Sequence, residues 1–172
     1  RSLPHDIVTT AAQSPVPFVI GTNRDENRLW AALDPAQNQL GEEHWNDLCQ
    51  QTFGEHALRA KNIYEQTRPE ESPWQLISSI RTDTAFRQRA QRISEQRVQA
   101  NNKTWMYWFT WPTPVLDGIV GSCHGLDIPF AFDNLSLPRT DDLTGDGAER
   151  AGIATRFADE IAQFAKSSAP SW

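Results

Sequence analysis

The chain has 172 residues, of which 38% are hydrophobic and 10% aromatic, so it can build the core of one ordinary globular domain. Its formal net charge of -6 argues against a nucleic-acid partner, because a phosphate-binding surface needs clustered positive charge and the arginines of this chain are scattered. No window approaches the ~18 continuous apolar residues of a membrane span, and two cysteines are too few for a disulfide scaffold, so neither a membrane protein nor a disulfide-rich module is expected.

The first predicted element is a β-strand at residues 16–21, a short, continuously apolar run that ends at a glycine. Such a run is typical of a strand buried on both faces, as in a parallel sheet. A polar loop is expected over residues 22–27. Farther along, the spacing of apolar side chains over residues 42–66 predicts two short helices separated near Gly54.

The middle of the chain predicts a longer amphipathic helix. We expect Asp83 to cap its N-terminus, because a side-chain carboxylate can accept a hydrogen bond from the first unpaired backbone amides. One face of this helix carries apolar residues at spacings of three to five, and the other carries arginines and glutamines. The apolar face comprises Phe86, Ala90, Ile93 and Val98.

The last third predicts a second strand, a loop and a closing helix. The aromatic run WMYWFTW at 105–111 is typical of a strand, and Pro112 ends it. A Gly/Asp-rich loop is expected at 140–147, followed by an amphipathic helix over 148–166. Two apolar strands separated by mainly helical sequence predict an α/β fold. Because two strands cannot form a stable doubly covered sheet, we interpret the chain as an incomplete piece of a larger domain.

Two candidate catalytic residues follow the two strands. Glu26 comes five residues after the first predicted strand, and His124 lies in the loop system after the second. Catalytic groups of parallel α/β sheets collect at the carboxyl ends of the strands, so both side chains are expected at one edge. A carboxylate that orients an imidazole is the arrangement of a general base acting on a serine hydroxyl, and the acid precedes the histidine, as in α/β-hydrolases.

Several longer motifs then resemble one family. PVPFVIGTNRDE at 15–26 and GSCHGLDIPFAFDN at 121–134 resemble the glutamate and histidine segments of type B carboxylesterases, the carboxylesterase and cholinesterase family of α/β-hydrolases. The blocks FGEHALRAKNIY, TDTAFRQRAQRISEQ, YWFTWPTP and FADEIAQFAKSSAPSW match further family segments in order. The resemblance covers nearly the whole chain and corresponds to roughly the last third of a family member.

The resemblance implies specific roles for individual residues. Glu26 is the triad acid, His124 is the triad base, and Asp127 matches a family acid, more often glutamate, that lies near the histidine. Asn27 stands where the family usually has glycine; since asparagine tolerates a positive φ, we expect the turn to be preserved. Cys123 lies at a variable family position and has no assigned role.

The resemblance also implies an architecture and its missing parts. Residues 1–172 are expected to be the C-terminal portion of a single α/β-hydrolase domain, a mostly parallel central sheet with flanking helices, with no second domain. No G-x-S-x-G nucleophile motif and no glycine-rich oxyanion loop occur in the sequence; in the family both lie upstream. The expected partners are therefore a small-molecule carboxylic ester and the N-terminal part of the same fold. No cofactor is implied, and the chain alone is expected to be inactive.

Several other interpretations of the same residues are weaker. Adjacent Cys123 and His124 cannot easily turn toward one metal ion, and no other Cys/His cluster has ligand spacing. Asp25 is expected to be structural or exposed. The aromatic strand could form a base-stacking platform, but core packing is favoured because no lysine or arginine is interleaved there. The acidic residues at 141–146 lack the spacing of a calcium loop.

Two alternative functions remain open at this point. The first is a non-catalytic adhesion or scaffold protein of the same fold, although the retained Glu26 and His124 count against it. The second is an independent helical binding module in which both motifs are coincidental. Neither the pairing of Cys49 with Cys123 nor the substrate follows from the sequence.

Overall fold

The computed structural model describes residues 7–172 of the chain. Its regular elements follow the α/β pattern expected from the sequence, with many helices around a small sheet. In chain order they are α1 (Ile7–Gln13), β1 (Phe18–Asn23), α2 (Arg28–Leu33), α3 (Pro35–Asn38), α4 (Glu42–Phe53), α5 (Ala57–Thr67), α6 (Pro73–Thr82), α7 (Gln88–Gln99), β2 (Thr104–Phe109), α8 (Ile128–Ala131), α9 (Thr140–Thr144) and α10 (Glu149–Ser167).

The two strands pair in parallel, as the sequence predicts. The register runs from Phe18 opposite Thr104 to Asn23 opposite Phe109. β1 begins and ends two residues later than expected, because Pro17 has no N–H to donate to a ladder while Asn23 still pairs with the neighbouring strand. Residues 18–21 are half-buried rather than buried, since within residues 7–172 only β2 pairs with β1.

Helices cover both faces of this sheet. On one face the rings of Tyr107 and Phe109 pack against Phe157 of α10, with centroids 5.0 and 6.0 Å apart. Side chains alternate across a strand, so Trp108 points to the opposite face, where the Arg87 guanidinium lies 4.7 Å from its ring centroid. Core packing of the aromatic strand is therefore confirmed for the α10 face, whereas Trp108 remains 55% exposed.

The helical hairpin predicted over residues 42–66 is confirmed. α4 ends at Phe53, a 3-10 turn covers Gly54–His56, and α5 begins at Ala57. Gly54 has a φ of +54°, a left-handed conformation that glycine adopts without a Cβ penalty and that ends the helix where the pattern breaks.

The expected N-cap at Asp83 is wrong. The helix begins at Pro73, capped by Ser72 in a capping box with Gln75, and continues through a π turn at Asp83–Arg87 into α7. Asp83 has helical φ and ψ angles of -64° and -43°, and its carboxylate accepts hydrogen bonds from the Tyr64 hydroxyl and from Arg87 instead. The apolar residues Leu76, Ile77 and Ile80 before Asp83 are buried and keep the chain helical, because tertiary packing overrides a local capping signal.

The apolar face expected on α7 is also partly wrong near its end. Val98 is 60% exposed, whereas the neighbouring Arg97 is only 2% exposed. The Arg97 guanidinium donates to the backbone oxygens of Ala11, Ser14 and Val16, at 2.6, 3.1 and 2.5 Å. A buried charge needs such partners, and these attach α1 and the segment before β1 to α7.

The C-terminal third contains the closing helix and one short helix that was expected to be a loop. α10 spans Glu149–Ser167, close to the predicted bounds of 148–166. Within the expected loop, Thr140–Thr144 forms α9, which ends where Gly145 takes a φ of +73°. No helix among residues 7–172 is both long and apolar enough to cross a bilayer.

Candidate active site

The loops after β1 and β2 bring Glu26 and His124 into direct contact. Parallel strands end at the same edge of a sheet, so the turn after Asn23 and the loop that precedes α8 meet there. The Nδ1 atom of His124 lies 2.7 Å from Oε2 of Glu26, across 98 residues of sequence. The two residues singled out in the sequence therefore form a hydrogen-bonded acid–imidazole pair.

The two members of the pair differ in burial. The Glu26 side chain is 8% exposed and the His124 side chain is 50% exposed. No described residue forms a hydrogen bond with Nε2 of the imidazole, so that nitrogen is available to the adjoining cleft. A buried carboxylate that holds Nδ1, with Nε2 free, can orient an imidazole and stabilise its protonated form while Nε2 exchanges a proton with another group.

The second oxygen of Glu26 is also held. The backbone N–H of Asn23 donates to Oε1 at 2.7 Å, so both carboxylate oxygens have partners. The turn that presents Glu26 is not the one expected, because Asn27 has a φ of -74° rather than a positive value. Its backbone N–H donates to the Thr82 hydroxyl of α6. The position needs no left-handed residue here, because the chain passes directly from the turn into α2.

Two aromatic rings flank the imidazole. The ring centroids of Trp30, on α2, and Phe86, in the π turn, lie 4.9 and 5.7 Å from that of His124. These contacts limit rotation of the imidazole. Sequence reasoning assigned Phe86 to a core face and missed Trp30, because no helix was predicted over residues 28–33, where the structure has α2.

Asp25 is structural, as expected, and fastens one loop to the other. Its carboxylate is 1% exposed and accepts from the backbone N–H of Ser122 at 2.8 Å, while its own N–H donates to the Ser122 carbonyl at 2.9 Å. Arg24 and Arg28 form ion pairs with the same carboxylate at 2.9 and 3.4 Å. Gly121 has a φ of +59°, and a Cβ there would lie 2.3 Å from Oδ2 of Asp25, so glycine is required for this approach.

Asp127 lines the same cleft but forms no hydrogen bond with the imidazole. Its carboxylate accepts from the Asn23 amide at 3.2 Å and from the Tyr107 hydroxyl at 2.9 Å. Burial and the negative charges of Asp127 and Glu26 raise the pKa of Tyr107, so the phenol stays protonated and donates. A Cβ at Gly21 would lie 2.1 Å from the Tyr107 ring, so a glycine in β1 makes room for this donor.

The cleft beside the imidazole has a volume of about 440 Å³ and runs along the outer edge of β1. His124, Glu26 and Asp127 line it together with apolar side chains such as Ile128. A larger cavity of about 670 Å³ lies elsewhere, between Tyr64 and Trp108. It contains no acid–imidazole pair, so we place the candidate site in the smaller cleft.

The described residues offer little for metal or thiol chemistry at this site. No group of three His, Cys, Asp or Glu side chains in the part of the chain that the structure describes could hold a metal ion. Cys49 and Cys123 are both free and buried. Burial raises the pKa of Cys123, and it raises that of Cys49 to about 11, so both are protonated at neutral pH and neither is an activated nucleophile.

Comparisons with known proteins identify relatives of the chain. The chain is 29% identical to phenmedipham hydrolase of Pseudarthrobacter oxydans over 134 residues, which are 78% of this chain and 27% of the hydrolase. A carboxylesterase of Geobacillus stearothermophilus superposes with a TM-score of 0.70 and 27% identity, over 96% of this chain and 32% of the esterase. A PNB esterase superposes with a TM-score of 0.65 and 23% identity over the same shares, which shows the fold alone.

These matches define the fold and the family. The neighbours have the α/β-hydrolase fold, and the two parallel strands with their flanking helices are part of it. The chain spans about a third or less of the length of each of these proteins. The family model described as the carboxylesterase family matches residues 1–172, and the chain belongs to that family.

Proposed function

We propose that the chain is the C-terminal portion of a carboxylic ester hydrolase, in which Glu26 and His124 are the acid and the base of a Ser-Glu-His triad. The observation that carries the proposal is the 2.7 Å contact between Nδ1 of His124 and a buried Glu26 carboxylate, with Nε2 free at the cleft. Family membership and the names of the relatives, a hydrolase and several esterases, support the same reaction class.

The serine nucleophile and the oxyanion hole are proposed to lie outside this chain, because residues 1–172 contain no G-x-S-x-G motif. In the complete protein, Nε2 of His124 accepts the serine hydroxyl proton as the oxygen attacks the ester carbonyl. The imidazolium then donates that proton to the departing alkoxide, which leaves an acyl-enzyme and an alcohol. Water, deprotonated by the same nitrogen, attacks the acyl carbon; the bond from that carbon to the serine oxygen breaks, the imidazolium returns its proton to the serine oxygen, and the acid is released.

Glu26 contributes by charge and by geometry. Accepting a hydrogen bond from Nδ1–H fixes the tautomer in which Nε2 is a base, and the negative charge stabilises the imidazolium that forms in both half-reactions. Because the carboxylate is buried and also held by a backbone amide, it does not need to reorganise as the charge develops.

The rest of the fold is proposed to pack along the open edge of β1. The candidate cleft follows that edge, so a neighbouring strand would bring its own carboxyl end beside His124. Residues 1–172 by themselves are then expected to expose unpaired strand edges, to aggregate, and to show no hydrolysis of a chromogenic ester. A soluble monomer with cooperative melting would favour the independent helical module instead.

The test is turnover of the complete protein with His124→Ala. We expect kcat to fall by about 10³- to 10⁶-fold, as for removal of a triad base. His56→Ala is the matched control, since the His56 side chain is 74% exposed and pairs only with Glu55 among the described residues. Near wild-type turnover by the His124 variant would contradict the proposal, and an inactive wild-type protein would favour the non-catalytic scaffold.

A further inference from the structure

We infer that Asn23 is a positioning residue that keeps the acid and the base of the candidate site in hydrogen-bonding contact with each other. The inference rests on the proposed function, because it concerns how Glu26 and His124 are kept in contact. Asn23 is the last residue of β1, is 1% exposed, and occupies the position where the two loops of the site diverge from the sheet.

Asn23 contacts both loops at once. Its backbone N–H donates to Oε1 of Glu26 at 2.7 Å. Its side-chain nitrogen donates to the backbone carbonyl of Cys123 at 2.7 Å and to Oδ1 of Asp127 at 3.2 Å. The main chain of one residue therefore fixes the acid, while its side chain fixes the segment that carries the imidazole.

The Cys123 contact has a direct effect on His124. The carbonyl belongs to the peptide unit that links the two residues, so a hydrogen bond to it limits rotation of that plane and sets where the His124 Cα lies. The aromatic rings beside the imidazole limit its rotation but do not fix its backbone. The Leu126 N–H donates to the same carbonyl at 3.2 Å from within the loop, and the Asn23 amide adds the shorter bond from the strand end that also holds Glu26.

The amide nitrogen of Asn23 suits this position, while Oδ1 of the same amide is buried without a hydrogen-bond partner among the described residues. Both acceptors are oxygens, a carbonyl and a carboxylate, and the amide nitrogen offers two hydrogens to them without adding charge. Aspartate at position 23 would have the same shape but no hydrogen to donate at neutral pH, and it would face two oxygens. Leucine would remove both hydrogen bonds: Oδ1 of Asp127 would lose the donor that Asn23 supplies, and the Cys123 carbonyl would keep only the Leu126 N–H.

The charge around the imidazole provides a second readout. The groups that face this cleft are Glu26, Asp127 and Arg89, with the protonated Tyr107 behind Asp127. Replacing the Asn23 amide by a carboxylate adds a negative charge among them, which favours the imidazolium over the neutral imidazole. The acid limb of the kcat/KM profile should therefore move to higher pH, an effect that a general loss of stability does not produce.

The experiment compares Asn23→Asp with Asn102→Asp in the complete protein. Asn102 is a matched control, because its side-chain nitrogen donates to the Ala12 carbonyl at 2.7 Å across 90 residues, at the opposite end of the sheet. We expect Asn23→Asp to lower kcat by about 10- to 100-fold with KM changed less than about twofold, since misplaced catalytic groups cost rate more than binding. Asn102→Asp should lower the melting temperature without changing kcat or the pH profile.

Rates of the Asn23 and Asn102 variants are expressed per reactive site, counted by titration with a fluorophosphonate, and those of His124→Ala are expressed per folded molecule, so that unfolded protein does not count as lost rate. If Asn23→Asp fails to fold, Asn23→Ala provides the same comparison of kcat without the added charge. Wild-type kcat and an unshifted acid limb in the folded Asn23 variant would overturn the inference. If His124→Ala also keeps its turnover in the same assay, the proposed function fails; if His124→Ala is inactive, only the positioning role fails.

Discussion

Two hydrophobic clusters in the described part of the chain are built in different ways. The first joins α4, α5 and α6, which are consecutive in sequence, and the second joins the His124 loop to β2 and α10 across large sequence separations. The first cluster, called the hairpin cluster, comprises Trp45, Cys49, Ala57, Leu76, Ile77 and Ile80. The second, called the loop cluster, comprises Ala32, Phe109, Val120, Cys123, Leu126, Phe130, Leu135 and Ala154.

The polar contacts beside the two clusters differ in the same way. At the hairpin cluster, the indole N–H of Trp45 donates to Glu65 at 2.9 Å, and Lys61 pairs with Glu65 at the protein surface. At the loop cluster, Asn23 and Asp25 form buried hydrogen bonds with residues about a hundred positions away. The candidate site is thus held together by long-range buried hydrogen bonds, whereas the helical hairpin is held mainly by apolar packing.

The largest expected effect comes from emptying the loop cluster. Phe130 is fully buried, and its ring packs 5.0 Å from that of Phe109. Phe130→Ala should reduce the free energy of unfolding of the complete protein by about 3–5 kcal/mol. It should also lower kcat per reactive site, because the cavity lies beneath the loop that carries His124. Denaturant titration and active-site-normalised kinetics measure both, and an unchanged kcat would show that the loop is independent of this cluster.

The corresponding change in the hairpin cluster is expected to affect stability alone. Ile77, 2% exposed, is surrounded by α4 and α6 side chains. Ile77→Ala should cost about 2–5 kcal/mol of unfolding free energy. Turnover per reactive site should stay at the wild-type value below the melting transition. A loss of kcat comparable to that of Phe130→Ala would remove the distinction between the two clusters.

A smaller effect is expected from one buried hydroxyl beneath the site. The Ser122 hydroxyl donates to the Phe109 carbonyl at 3.0 Å, and this carbonyl also accepts from the Arg24 backbone. Ser122→Ala should therefore cost only about 0.5–1.5 kcal/mol, since no buried acceptor is left unpaired. The backbone contacts of Ser122 with Asp25 persist, so kcat should change less than in the Asn23 variants. A larger loss of kcat would show that the Ser122 hydroxyl, and not its backbone contacts, positions the loop.

The smallest effect concerns the surface contact of the hairpin cluster. Hydrogen bonds from Lys61 and then from the Trp45 indole lower the pKa of Glu65 from its usual 4.5. The stability that ionised Glu65 gives to the folded state is therefore complete above pH 4.5. It is lost as pH falls through the lowered pKa that Glu65 has in the folded protein. Glu65→Gln should cost at most about 1 kcal/mol at pH 7, as for exposed pairs, and should flatten the acid side of the stability curve. An unchanged slope below pH 4.5 would contradict this.

Local patterns in the sequence predicted most of the regular elements. The spacing of apolar residues and Gly54 located the helical hairpin, and the apolar periodicity of residues 148–166 located α10. These predictions hold because the residues that contact each other along a helix lie three or four positions apart, so the sequence spacing itself shows them. The predictions failed where tertiary contacts competed with a local signal, as at Asp83, which lies inside a helix, and at Arg97, which is buried.

For the site, the sequence by itself determined which residues follow the two strands, in which order, and which family they resemble. Only the tertiary structure decided that Nδ1 of His124 lies 2.7 Å from Glu26, that Asp127 bonds elsewhere, and that Asn23 joins the two loops. These contacts depend on the register of β1 against β2. No tight turn fixes the register of a parallel pair, and β1 and β2 are separated by some eighty residues, so the spacing within either strand alone does not determine it.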